Sequence, residues 1–245
     1  LCDALIGHID FVDYFWLLVT GDRPDARQRT VTNACLVAIA EHGLVPSVQA
    51  ARMTLSAGPD AWQGAVAAGL LGMGTVVAGS SEVAARYLVR LLEESRTSGQ
   101  DIDTVCRADL EELKRTRQKV PGLGHPQHSG SDPRADRLLA IAESEGLVGP
   151  HIGALRALAR LAPGIIGRPL PINVSGAIPA VMLDAGWPVE AMKGIPLLAR
   201  TAGLIAHLLE ETRRPIGFIM SHKADLAITY DGPVATPDPA RTHLG

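Results

Sequence analysis

No helix or strand can run through the stretch Lys119-Val-Pro-Gly-Leu-Gly-His-Pro-Gln-His-Ser-Gly-Ser-Asp-Pro-Arg134. Pro121 and Pro126 withhold backbone N–H groups, and Gly122 and Gly124 open turn conformations. On either side the chain reads as apolar runs of helical period, each closed by Gly or Pro. The pattern predicts a helical scaffold that carries one long irregular segment. Aromatic residues make up only 4% of the 245 residues, so the core must be built from Ala, Leu, Val and Ile. That supply suits close-packed helices better than a β-sandwich, and the predicted fold class is all-α. His125, His128, Asp132 and Arg134 crowd into the irregular segment, and polar groups held on a loop by a rigid scaffold are a usual form of functional site.

The remaining punctuation sets the expected helices. Leu1 to Thr20 is read as one core-facing helix, stopped by Gly21 and Pro24, and Asp25 to Ala40 as the next. Glu41-His42-Gly43 breaks the pattern, and Pro46 opens a third helix at a favoured first position. The uncharged run Ala61 to Ser81 is read as a buried Gly/Ala-rich helix packed against a partner helix. Glu82 to Gln118 divides in two at Gly99 and Asp101. Pro133 starts a helix over 135–145, and Pro150 starts one ending near Gly164. Pro169 and Pro171 introduce Ile172 to Ala185, in which Asn173 and Ser175 need partners if buried. Pro188 starts a short helix and Pro196 the last long one, with Arg200 and His207 on one face. The tail beyond Pro233 is expected to hug the surface or fray.

Composition excludes several classes. A hydrophobic fraction of 47% argues against disorder. The formal net charge is −3 with no extended basic run, so the footprint of a nucleic-acid binder is missing. The run 61–81 carries five glycines and is too weakly apolar for a membrane span. Cys2, Cys35 and Cys106 are scattered, which suggests neither a disulfide framework nor a zinc site, and a cytoplasmic location is the expectation. The chain opens at Leu1 already inside an apolar pattern, so an N-terminal piece is expected to precede it. His125 and His128 are spaced like a metal pair but lack a third ligand nearby, and no metal is expected. His8, His151, His222 and His243 stand outside any motif.

Several segments together resemble the citrate synthase superfamily. Pro121-Gly122-Leu123-Gly124-His125 with Asp132-Pro133-Arg134 resembles its Gly-x-Gly-His … Asp-Pro-Arg signature. Glu41-His42-Gly43 resembles its Asp-His-Gly segment. Arg200-Thr-Ala-Gly203-Leu-Ile-Ala206-His207-Leu-Leu-Glu210 resembles its Arg-x-x-Gly-(Trp/Phe)-x-(Ala/Gly)-His-x-x-(Glu/Asp) helix. The order along the chain agrees, and the compact ending is more similar to the citryl-CoA lyase module of ATP-citrate lyase than to a long citrate synthase.

The resemblance implies a site for a carboxylate substrate beside coenzyme A, with no metal. His125 would be the catalytic residue, hydrogen-bonding the carbonyl of oxaloacetate or the hydroxyl of citrate. His42 would bind the same ligand, and Arg134 and Arg200 would clamp its carboxylates. Val120, Pro121, Gly122, Leu123 and Gly124 would cradle the adenine of coenzyme A. The implied architecture is a large helical domain, residues 1–81 and 193–245, and a small one, residues 82–192, that carries the Gly-x-Gly-His loop. The implied assembly is a homodimer burying the helices at Ala65–Ala78 and Ile172–Ala185.

Three departures qualify the implied chemistry. The family's Gly-Pro-Leu-His-Gly-Gly-Ala is matched by a stretch in which its His becomes Val77. Its Asn-Val-Asp is matched by Asn173-Val174-Ser175, and a serine of ordinary acidity cannot act as the base without a helper. Ser80 and Glu82 are candidate stand-ins. No arginine stands clearly near Gly217 to Ser221 to serve a partner subunit, though Arg213, Arg214 or Lys223 could substitute. The expected function is citryl-CoA lyase or citrate synthase-like carbon–carbon bond cleavage or formation between an acyl-CoA and a 2-oxo acid. The alternatives are another acyl-CoA reaction on the same scaffold, or a silent relative that binds a carboxylate or a coenzyme A ester.

Overall fold

The computed structural model describes residues 2–74, 79–124 and 130–233. Eleven α-helices are found there: α1 (Phe11–Thr20), α2 (Ala26–Ala40), α3 (Pro46–Ala57), α4 (Trp62–Leu71), α5 (Gly79–Ser98), α6 (Ile102–Arg115), α7 (Pro133–Ser144), α8 (Pro150–Ile166), α9 (Val174–Asp184), α10 (Gly194–Arg213) and α11 (Gly217–Ala227). A 3₁₀ turn at Val189–Ala191 lies between α9 and α10. Among the described residues the β structure is a single antiparallel bridge between Leu123 and Ile172. The fold is all-α, as the residue pattern predicts.

Local chemistry sets most boundaries. Asp25 and Gln28 form a capping box, each side chain accepting from the other's backbone N–H at 2.8 Å, and start α2. Asp101, Asp132 and Asn173 cap α6, α7 and α9 in the same sense. Gly21 and Gly167 end α1 and α8 in the left-handed conformation.

Four expectations are corrected. The first helix begins at Phe11 rather than Leu1; Gly7, at φ +82°, lies in the turns before it. The run 61–81 is not one helix: α4 stops at Leu71, which is 86% exposed, and α5 starts at Gly79. Helix α9 is not held in reserve for a dimer interface, since Val174 and Gly176 to Met182 are already buried within one chain. An eleventh helix, α11, follows the one expected to be the last long element. The tail from 234 and Val77 lie outside the described residues.

Among the described residues, packing forms two apolar clusters. The larger joins Trp16, Val31, Cys35 and Ile39 of α1 and α2 to residues of α5–α9 and to Ile195 and Ala199 of α10. The smaller joins Val48, Ala51 and Leu55 of α3 and Ala65 of α4 to Leu204 and Leu208 of α10. The single helix α10 therefore crosses from one cluster to the other. A buried ion pair between Arg52 and Glu211 at 2.6 Å backs the smaller cluster. Glu211 also accepts from Ser56 Oγ and from the N–H groups of Ile216 and Gly217, which fixes the start of α11.

Candidate active site

Asp132 organises the irregular segment. It is fully buried and accepts four hydrogen bonds: from Arg134 N at 3.1 Å, Arg134 Nε at 3.0 Å, Arg134 Nη2 at 2.9 Å and Val174 N at 3.0 Å. Burial opposes its charge, but the Arg134 guanidinium and the Val174 N–H outweigh that and hold the carboxyl below its ordinary range. One carboxylate thus ties the N-terminus of α7 to that of α9 and fixes Arg134 by a two-pronged contact. Nε and Nη2 of Arg134 face Asp132, and the side chain is 26% exposed.

The Gly-x-Gly loop is docked onto α9. Gly122 has φ +82°, and a Cβ on Gly176 would lie 2.4 Å from Gly122 O, so both backbones can meet only as glycines. Asn173 N donates to Gly122 O at 3.1 Å, its side-chain Nδ2 donates to Gly124 O at 2.6 Å, and Gly124 N donates to Pro171 O at 2.7 Å. The partner Asn173 needs is therefore the loop that leads into residue 125. His125 itself, like His128, lies outside the described residues. Ser175 finds its partner in Ser80 at the start of α5, Oγ to Oγ at 3.0 Å. Glu82, a candidate stand-in for a lost acid, is paired with Arg86 at 3.1 Å.

The second arginine lies on α10. Arg200 is 7% exposed, and its Nε and Nη1 have no hydrogen-bond partner among the described residues. Burial first, and the like charge of Arg134 after it, pull its pKa below the ordinary value, while Glu41 opposes the shift. The two expected clamp residues therefore lie within each other's field. Gly203 explains the depth: a Cβ there would stand 2.0 Å from Ala40 O, so α10 can lie directly against the end of α2. His207, one turn beyond, bonds Glu41 Oε2 through Nε2 at 2.7 Å rather than a group of its own helix. Burial works against the Glu41 charge, but the Gly43 N–H, His207 and Arg200 together keep the carboxyl below its usual range. His42 follows Glu41 in this turn and is exposed. The Glu41–His207 link is a feature that spacing could not reveal, since the partners are 166 positions apart.

Beyond the loop opens a cleft of about 610 Å³ between the end of α6, the segment 117–124 and the end of α8. Val120, Leu123 and Gly124 line it, whereas Pro121 does not, and Gly122 meets Gly176 instead. Four cations, Lys114, Arg117, Lys119 and Arg168, surround its apolar floor. Sequence reading did not single these out, because they are dispersed among ordinary surface charges. Lys114 Nζ donates to Ile165 O at 2.6 Å, which fixes one wall. Among the described residues no group of three His, Cys, Asp or Glu could hold a metal ion, and no helix is long and apolar enough to cross a membrane.

Comparison with known proteins places this arrangement. Residues 6–218 match the family model "Citrate synthase, C-terminal domain". The chain is 31% identical over 194 residues to a Mycobacterium tuberculosis protein named "Putative citrate synthase 2", covering 78% of this chain and 49% of the relative. It thus spans about half the length of the curated relatives it matches first. The structure of citryl-CoA lyase from Hydrogenobacter thermophilus is similar at a TM-score of 0.85 and 29% identity, with 96% of this chain and 89% of that chain covered. ATP citrate lyase from Methanothrix soehngenii, in complex with citrate and coenzyme A, shares the fold at a TM-score of 0.74 and 23% identity over 96% of this chain and 39% of that one. With the loop, the two arginines and the α10 motif in the same order and in one fold, the chain belongs to the citrate synthase family.

Proposed function

We propose that the protein makes or breaks a carbon–carbon bond between an acyl-CoA and a 2-oxo acid such as oxaloacetate, in the manner of a citryl-CoA lyase or citrate synthase. The observation that carries this reading is Arg200, a buried guanidinium with two nitrogens unpartnered among the described residues, lying in the field of a second guanidinium, Arg134. A buried guanidinium in the field of a second one is costly unless an anion completes the site, and a di- or tricarboxylate has the charge and forked shape to do so. His42 would take a further polar group of the same ligand. The cleft lined by Val120, Leu123 and Gly124 supports coenzyme A as the second substrate, with an apolar floor for the adenine and Lys114, Arg117, Lys119 and Arg168 for phosphates. Similarity to a citryl-CoA lyase at 29% identity over nearly its whole length points the same way.

His125 follows Gly124 in the sequence, in the position the family's Gly-x-Gly-His motif gives to the catalytic residue. Its role would be to donate to the oxygen on which charge develops as the bond forms or breaks. Helix α11 exposes Phe218, Ile219 and Leu226, with Ile228 and Tyr230 exposed just after it, and buries only Gly217. An apolar surface of that kind supports a homodimer. Division into a large domain (1–81 and 193–245) and a small one (82–192) would let the loop close over substrate and exclude water.

The test is a direct assay with citryl-CoA, following acetyl-CoA and oxaloacetate, beside His125→Ala and with the condensation run in parallel. Turnover abolished by His125→Ala sustains the reading. Absence of turnover in both directions, with citrate still bound, favours a silent carboxylate or CoA-ester binder, a second reading that the Ser80–Ser175 pair supports.

A further inference from the structure

The hydroxyl pair Ser80–Ser175 constrains which acyl-CoA the site can use; this argument rests on the reading above. If the cleft along 117–124 holds coenzyme A and the arginines hold the oxo acid, the acyl carbon lies between them. Ser175 stands in that interval: its neighbour Val174 donates to Asp132, the partner of Arg134, and its other neighbour Gly176 abuts Gly122 of the cleft loop. Ser80 Oγ donates to Ser175 Oγ at 3.0 Å, so the Ser175 hydroxyl is an acceptor in this bond and keeps donor capacity of its own.

A carbon–carbon bond from an acyl-CoA needs a carbanion beside the thioester, formed by removing a proton or by losing carbon dioxide. Proton removal needs a positioned base. The carboxylates adjoining the pair are committed, Glu82 to Arg86 and Asp132 to Arg134 and Val174 N–H. A hydroxyl is a poor base but a good donor to an anion. We infer that the preferred donor substrate is a 2-carboxyacyl-CoA of the malonyl type, whose carboxylate accepts from Ser175 and whose decarboxylation replaces the base.

The step balances without an added reagent. The bond from C2 of malonyl-CoA to its carboxyl breaks, carbon dioxide leaves, and the electron pair stays as the thioester enolate. The enolate carbon attacks the keto carbon of oxaloacetate, and the resulting alkoxide takes one proton, giving citryl-CoA. An aspartate at 175 would face the malonyl carboxylate at about 4 Å, a repulsion equal to roughly a thousandfold loss at an effective dielectric constant of about 20.

The experiment measures coenzyme A ester products and carbon dioxide from the full chain with oxaloacetate and either malonyl-CoA or acetyl-CoA, beside direct cleavage of citryl-CoA. The expected result is oxaloacetate-dependent carbon dioxide release matched by citryl-CoA, with malonyl-CoA far ahead of acetyl-CoA. Ser175→Ala should lower kcat/KM for malonyl-CoA roughly tenfold to a hundredfold through the lost bond to a charged group, and Ser175→Asp should reverse the donor preference. Acetyl-CoA used as well as malonyl-CoA, carbon dioxide release independent of oxaloacetate, or citryl-CoA cleavage with neither donor condensed would each overturn the inference. The first and last of these leave the carbon–carbon bond reading intact. No reaction with any of the three overturns both.

Discussion

Replacing Arg200 by Met separates what this residue costs the fold from what it gives a ligand. Its side chain is nearly sealed, and Nε and Nη1 lack partners among the described residues. A buried donor left unsatisfied costs about 1–3 kcal/mol, and methionine fills much of the same volume without one. Against this stands the lost attraction to Glu41, whose carboxylate keeps its bonds to Gly43 N–H and His207. The free variant should therefore be more stable by about 1–3 kcal/mol. At ~2–4 °C per kcal/mol for a chain of this size, its Tm should rise by roughly 2–12 °C. Saturating citrate acts in the opposite sense: at about a hundredfold over Kd it should stabilise the unmodified protein by ~2.7 kcal/mol and the variant hardly at all. Thermal melts of both proteins with and without citrate measure the four values. Arg200→Lys serves as a control, keeping the charge but losing the planar fork. A variant that melts lower without ligand, or that keeps the citrate-induced rise, would refute the claim that this guanidinium is held unpaired for a carboxylate.

Other consequences follow from the same contacts. Gly176→Ala forces a Cβ to within 2.4 Å of Gly122 O, so the loop must move; a loss of about 1–3 kcal/mol in urea unfolding is expected, together with weaker coenzyme A binding. Acid should destabilise the site through Asp132, Glu41 and Glu211, all held below their ordinary carboxyl range against the opposing effect of burial. Because the unfolded chain protonates these groups first, their stabilisation is complete above about pH 5 and is lost as pH falls through the lower folded values. Urea midpoints from pH 7 to 3 should show this, with a shallower decline in Asp132→Asn. Thiol titration offers an independent check: burial pushes Cys35 and Cys106 up to about 12, whereas Cys2 is exposed. At pH 8 one thiol should react rapidly in the native protein and all three after denaturation; fast native labelling of two would contradict the packing of α2 or α6.

Helices were legible in the sequence wherever a residue acts on its own backbone. Asp25, Asp101, Asp132 and Asn173 are caps whose effect extends two or three residues, and the prolines at 46, 133 and 150 stand at first helical positions. What escaped depends on partners far along the chain. The run 61–81 has helical composition throughout, yet its break after Leu71 follows no proline, only glycines that a buried helix would also tolerate. Helix α11 begins where Glu211 gathers the N–H groups of Ile216 and Gly217, and Glu211 is itself held by Arg52 from 159 positions away. In the site, Arg134 and Arg200 announce themselves through motifs. The four cations of the cleft do not, because what makes them a group is the convergence of α6, α8 and the loop.

The position of the clamp within α10 bears on how the site can work. Ile195 and Ala199 pack in the larger apolar cluster, Leu204 and Leu208 in the smaller, and Arg200 and Gly203 occupy the interval between them. That interval is where α10 touches the end of α2, close enough that Gly203 admits no side chain. Arg134, by contrast, is fixed to α7 and α9, wholly within the larger cluster, through Asp132. An anion bridging the two arginines therefore links the larger cluster to the point where the helix leaves it. Without the anion the like charge of Arg134 acts unfavourably on Arg200 across that boundary, tempered by Asp132 and Glu41. If a carboxylate binds both arginines as proposed, its binding energy would be coupled to the relative placement of the two clusters and would favour drawing α7 and α9 toward α10.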